Sequence, residues 1–151
     1  MYSWFFQAQN QEWDILRTML KNAGNMAVHD AAQQVDYGQV AGGRLVIDRT
    51  AAYAVFCETL EANLGLDDSL NPEAGSRLHS GVRIRSFDVV DEASGVAFPF
   101  LYENEQYGIT KYIQGPSVIA VLETDHPVLI ARAKTQEPIR VPAIQEYRAD
   151  R

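Results

Sequence analysis

Residues 1–35 read MYSWFFQAQNQEWDILRTMLKNAGNMAVHDAAQQV, and this stretch decides the fold. Phe5, Ala8, Trp13, Leu16, Leu20, Ala23, Ala27 and Ala31 recur at steps of mostly three or four. That spacing is the one-sided stripe of an amphipathic helix, whose turn takes 3.6 residues. Gln7, Gln9, Asn10, Gln11, Arg17, Lys21, Asn25 and Gln33 largely fall on the other faces. The helix opens on an aromatic cluster, Trp4, Phe5 and Phe6, and its last turns, Ala23 to Ala32, are rich in small residues. Small side chains let a second element approach the backbone closely. Gly24 costs about 1 kcal/mol relative to alanine in a helix interior, so it marks a bend or a close helix contact. Asp36-Tyr37-Gly38 then ends the helix, with Gly38 as a left-handed cap.

Working outward, Ala41-Gly42-Gly43 is a turn and Arg44 to Ile47 a short strand. Asp48 or Thr50 caps a second helix from Thr50 to Leu64, whose stripe is Ala52, Val55, Phe56, Leu60 and Leu64. Gly65 stops it. Leu66 to Ser80 reads as loop. From Val82 the period changes to two, as in a half-buried strand ending near Val90. Asp91 to Gly95 reads as a hairpin loop returning a second strand, Val96 to Tyr102, in which Pro99 demands an edge, a bulge or a break. Ile109 to Ile113 is a short β-prone piece. Ser117 to Glu123 is the most apolar β run and is expected to be the central strand. Val128 to Ala133 is expected to pair with or bridge to the last strand, Ile139 to Tyr147, where Pro142 favours an edge. Helices precede strands, which predicts an α+β fold with an antiparallel sheet. One domain is expected: a leading helix over 1–35, a strand and helix over 44–64, and the sheet over 82–147.

The 151 residues suffice for one domain with a real core, and 46% hydrophobic with 22% charged residues is a globular composition. A formal charge of −7 argues against a nucleic-acid partner, because an acidic surface repels phosphate. Cys57, the single cysteine, can form no intramolecular disulfide and reads as a small buried hydrophobe. No run of eighteen apolar residues exists, so the chain as given holds no membrane-spanning helix. Trp4, Phe5 and Phe6 suit either the head of a core or the exit of a membrane anchor, since Trp favours the membrane–water interface.

Motifs that carry chemistry are missing. Gly42-Gly43 stands outside any phosphate-binding loop, and no paired-cysteine or H-E-x-x-H zinc motif occurs. His29, His79 and His126 lie in three different segments, and Asp67, Asp68 and Glu73 lack the spacing of a calcium loop. Arg83 and Arg85 share one strand face and are expected to be solvated or paired with Asp88 or Glu92. No cofactor, metal or catalytic residue is expected. An enzyme would require a deep polar pocket containing any two or more of four groups: His29, His79, His126 and the Asp67-Asp68 pair.

The run Leu20-Lys21-Asn22-Ala23-Gly24-Asn25-Met26-Ala27-Val28-His29-Asp30-Ala31-Ala32 resembles the stretch after the membrane helix of TadE/TadG-like proteins, the pilin-like proteins of tight-adherence pili. The layout of leading helix, short strand and helix, then antiparallel sheet is similar to that of pilin-like anchored extracytoplasmic proteins. The resemblance implies a structural component of a pilus or secretion-like assembly, exposed in the cell envelope. It also implies a membrane anchor upstream of Met1, with Trp4, Phe5, Phe6 and Trp13 as anchoring or interaction residues. Protein partners or self-assembly are then expected. The alternatives are a phage or virion assembly protein and a small acidic inhibitor.

Overall fold

A computed structural model describes residues 2–125 and 138–148, with side chains from residue 11 onward. The chain is α+β, and the described residues form three helices and two antiparallel sheets. The helices are α1 (Tyr2–Ala32), α2 (Tyr37–Ala41) and α3 (Arg49–Leu64). The strands are β1 (Arg83–Val90), β2 (Phe100–Asn104), β3 (Ile109–Ile113), β4 (Ser117–Thr124) and β5 (Ile139–Glu146).

The apolar run in β4 sets the architecture. All of Ser117–Thr124 is buried, so this strand needs cover on both faces and neighbours on both edges. It sits between β1 and β5 in the order β1-β4-β5. Successive side chains alternate between faces, and two cores result. Val118, Ala120 and Leu122 join Leu16, Leu20, Ala27, Phe56 and Leu60 in the first core. Ile119 and Val121 join Tyr102, Ile109 and Ile113 of the β2–β3 hairpin in the second. The layers are therefore helices, a three-stranded sheet and a hairpin. Gly24 explains how α1 gets so near the sheet: an added Cβ would lie 3.0 Å from Leu122 Cδ1 and 3.4 Å from Ala143 Cβ. The close contact expected with a helix is made with the sheet instead.

Local chemistry places the ends of α3. Asp48 caps it, its carboxylate accepting from the Ala51 amide at 3.0 Å, and Gly65 closes it at φ 66°.

Four expectations are corrected. Arg44 to Ile47 forms no strand and contributes only a single bridge between Val35 and Ile47. The amides of Leu45 and Ile47 are taken by the Glu92 and Asp91 carboxylates, which leaves no ladder to extend. Gly38 is no left-handed cap: the Asp36 side chain accepts from the Gly38 and Gln39 amides and starts α2 there. Asp91 to Gly95 makes no hairpin, because β1 pairs with β4 and β2 pairs with β3. A short 3-10 turn, Glu92–Ser94, carries the chain off the sheet instead, and the second strand begins later than expected, at Phe100. Arg83 pairs with Glu123 and Asp125, and Arg85 with Glu123, rather than with Asp88 or Glu92. Val128 to Ala133 lies outside the described residues. Pro142 does occupy an edge strand, opposite Val121, where its missing N–H breaks no ladder.

Candidate functional site

The residues singled out at the N-terminus do not gather into a pocket. Trp4, Phe5 and Phe6 belong to the backbone of α1, and their side chains lie outside the described residues. Trp13 is 36% exposed and Ile15 38% exposed, and Leu16 is the first buried side chain among the described residues. From Leu16 the stripe runs inward through Leu20, Ala23, Ala27 and Ala31, all buried. One turn before Leu16, at Trp13, it is exposed. Glu12 ties this level of α1 to the loop ahead of β1, 3.5 Å from Arg77 and 3.8 Å from His79.

The groups an enzyme would need stay apart. His29 Nδ1 lies 3.5 Å from Asp30 Oδ1, at the other end of α1 from the Glu12–His79 pair. Seventeen helical steps separate Glu12 from His29, about 25 Å at 1.5 Å per residue. Asp30 is engaged by the Thr59 hydroxyl, which donates to it at 2.8 Å. Asp67 Oδ1 accepts from the amides of Ser69 at 2.8 Å and Asn71 at 3.0 Å, shaping its own turn. No group of three His, Cys, Asp or Glu placed to hold a metal occurs among the described residues. His126 lies outside them. Cys57 is half-buried rather than fully buried and packs against the first core. Burial pushes its thiol up, against the opposing hydrogen bond from Tyr53, and a raised thiol is a poor nucleophile.

Two polar clusters, neither foreseen from the sequence, organise opposite ends of the sheet. At the end of β1, Asp91 is wholly buried. Its carboxylate accepts from the Ile47 and Ala93 amides at 2.9 Å, and Arg49 Nη2 lies 3.3 Å from Oδ1. Asp91 thus pins the segment before α3 onto the sheet. Nearby, Tyr102 donates to Asp88; burial, reinforced by that hydrogen bond, pushes the phenol up to about 12.

At the other end of the sheet, Arg83, Glu123 and Arg140 stand directly opposite one another across β1, β4 and β5. The Glu123 side chain is 5% exposed, and those of Arg83, Arg85 and Arg140 are 40%, 43% and 44% exposed. Burial pulls the Glu123 carboxyl up, but the hydrogen bonds and charges of Arg140 and Arg83 outweigh it and hold the group below its ordinary value of 4.5. A depressed folded-state carboxyl contributes stability above its unfolded value, and that stability disappears as pH falls through the folded one. Asp125 is held down by Arg83 in the same way. Stability is therefore expected to fall as pH drops below about 4.5. Urea denaturation of Glu123→Gln should show a shallower acid-side decline than wild type.

No family model, curated protein or solved structure matches this chain.

The sequence holds part of the signal for the arginine row, since Arg83 and Arg85 share one strand face. Their partners, Glu123 on β4 and Asp125 just past it, sit about forty residues away, and only strand pairing reveals them.

Proposed function

We propose that this chain is a non-enzymatic structural module that works by protein–protein assembly. In this reading α1 is a long amphipathic helix that with α3 packs on the antiparallel sheet, and its N-terminal part is the docking element. The observation that carries the reading is the divided stripe of α1. Leu20 and Ala27 are buried completely, whereas Trp13, earlier on the same stripe, stands a third exposed. A large aromatic left partly exposed on a helix face is what a partner surface uses, and Trp is enriched at the energetic centres of interfaces. The partner is a second copy or another protein of the same assembly. The TadE/TadG-like resemblance adds the location: a pilin-like, envelope-exposed component with a membrane anchor preceding α1. Among the described residues no helix is long and apolar enough to cross a membrane. Cell fractionation that recovers the native protein in the cytosol would contradict the envelope location.

The assembly role has its own test. Sedimentation velocity of the wild type over a wide concentration range should show mass rising with concentration. Trp13→Ala should hold the protein monomeric while changing its stability by about 0.5 kcal/mol or less. Identical monomeric behaviour of both proteins at every concentration would reject self-association through this face.

A further inference from the structure

The β2–β3 hairpin covers only part of the sheet's outer face. Its core draws on Val90, Ile119, Val121 and Ile144, toward the start of β4. Past Val121 the same face carries Arg83, Glu123 and Arg140 in one cross-strand row. The register of β1 against β4 shifts between Ile84 and Ser86, so Arg85 is an extra residue at a β-bulge. Bulges re-aim side chains, and this one brings a third guanidinium to the row.

The charges there do not balance. Arg83 places its terminal nitrogens 3.1 and 2.9 Å from the two oxygens of Asp125, and its Nε 3.1 Å from Glu123. Arg140 Nη2 lies 2.9 Å from Glu123 Oε1, and its guanidinium sits 5.2 Å from the centre of the Tyr107 ring. Arg85 has one longer contact, Nε at 3.5 Å from Glu123 Oε2, and no other partner among the described residues. Among the described residues, three guanidiniums thus face two carboxylates. A buried glutamate is compensated by Arg83 and Arg140, so the pairing leaves Arg85 as surplus. On a chain of net charge −7, solubility gives no reason to collect surplus positive charge on one sheet face. Arginine presents a planar fork of N–H donors matched to carboxylate and phosphate oxygens.

We infer that Arg85, flanked by Arg140 and Tyr107, is a binding site for an oxyanion of the carboxylate or phosphate class. The buried Glu123 holds the guanidiniums in position from below, and the ligand's oxyanion meets their outward N–H groups from solvent. Tyr107 carries the Arg140 guanidinium over its ring. This site does not depend on α1, so it stands or falls separately from the assembly role.

Arginine Nε–H signals, followed by NMR during titration, test the site. The probes are triglutamate, acetate and inorganic phosphate on the full chain. Saturable shifts of Arg85 and Arg140 are expected, with Arg44 at the far side of the sheet unmoved. Arg85→Gln should weaken binding about tenfold, as loss of a charge-assisted bond predicts, and Arg44→Gln should leave it unchanged. Arg85→Lys keeps the charge without the fork and should fall between; it also serves if Arg85→Gln does not fold. Triglutamate binding more tightly than phosphate identifies an acidic protein segment as the source of the oxyanion. The reverse order identifies a phosphoryl ligand. No saturable shift with any probe, or equal affinities for wild type and Arg85→Gln, would overturn the inference.

Discussion

Leu20→Ala is expected to destabilise the protein by about 2–5 kcal/mol, the range for emptying a leucine site in a close-packed core. Leu20 has no exposed surface and lies in the core shared by α1, α3 and the sheet. One turn further along, Gly24 already sits at contact distance from Leu122 and Ala143, so α1 has little room to sink into the vacated volume. A site that cannot collapse keeps its cavity and pays the upper part of the range. For a domain of this size the melting temperature should fall by roughly 10 °C. Circular dichroism with heat and with urea reads both quantities. A loss below about 1 kcal/mol would show that this face of α1 does not form the core.

Asp91→Ala is the second large effect, at about 3 kcal/mol, because it strands buried donors. The Ile47 and Ala93 amides each lose an acceptor at 2.9 Å, and no water reaches a carboxylate site of zero exposure. An unsatisfied buried amide costs about 1–3 kcal/mol. Arg49 contributes less to the loss, since its side chain is 48% exposed and returns to solvent. Urea denaturation gives the magnitude. Hydrogen exchange supplies a local signature: the Ile47 amide should exchange much faster in the variant, while amides of β4 keep their relative protection. Equal stability of wild type and Asp91→Ala would mean that the 44–48 segment is not held by this carboxylate.

The parts of the fold legible in the sequence are those set by neighbours along the chain. A switch from helical spacing to period two gave the α+β class, and the unbroken apolar run at Ser117 to Glu123 marked the strand that lies centrally. Asp48 and Gly65 act through their own backbone turns, so their capping roles could be read locally. What could not be read was set by partners far along the chain. Arg44 to Ile47 has strand-like residues, yet its amides end on two carboxylates more than forty residues away. The β1–β4 pairing skips over β2 and β3, and the Asp91 turn looks like a hairpin until that pairing is known. Gly38 departs from the expected left-handed cap because the Asp36 side chain, two residues back, accepts its amide. Of the site residues, Trp13 is legible as a member of the stripe that continues into the buried Leu16 and Leu20, but its exposure appears only in three dimensions.

Hydrogen exchange along α1, compared between dilute and concentrated protein, tests the assembly role most directly. A helix segment without tertiary cover frays and exchanges quickly, because short uncovered helices are marginal in water. In dilute solution the amides before Leu16 should exchange orders of magnitude faster than those from Leu20 to Ala31. At concentrations where mass rises, the early amides should gain protection while the later ones change little. Uniform protection of α1 in the dilute monomer, or no gain in protection when the protein assembles, would contradict a docking role for its N-terminal part.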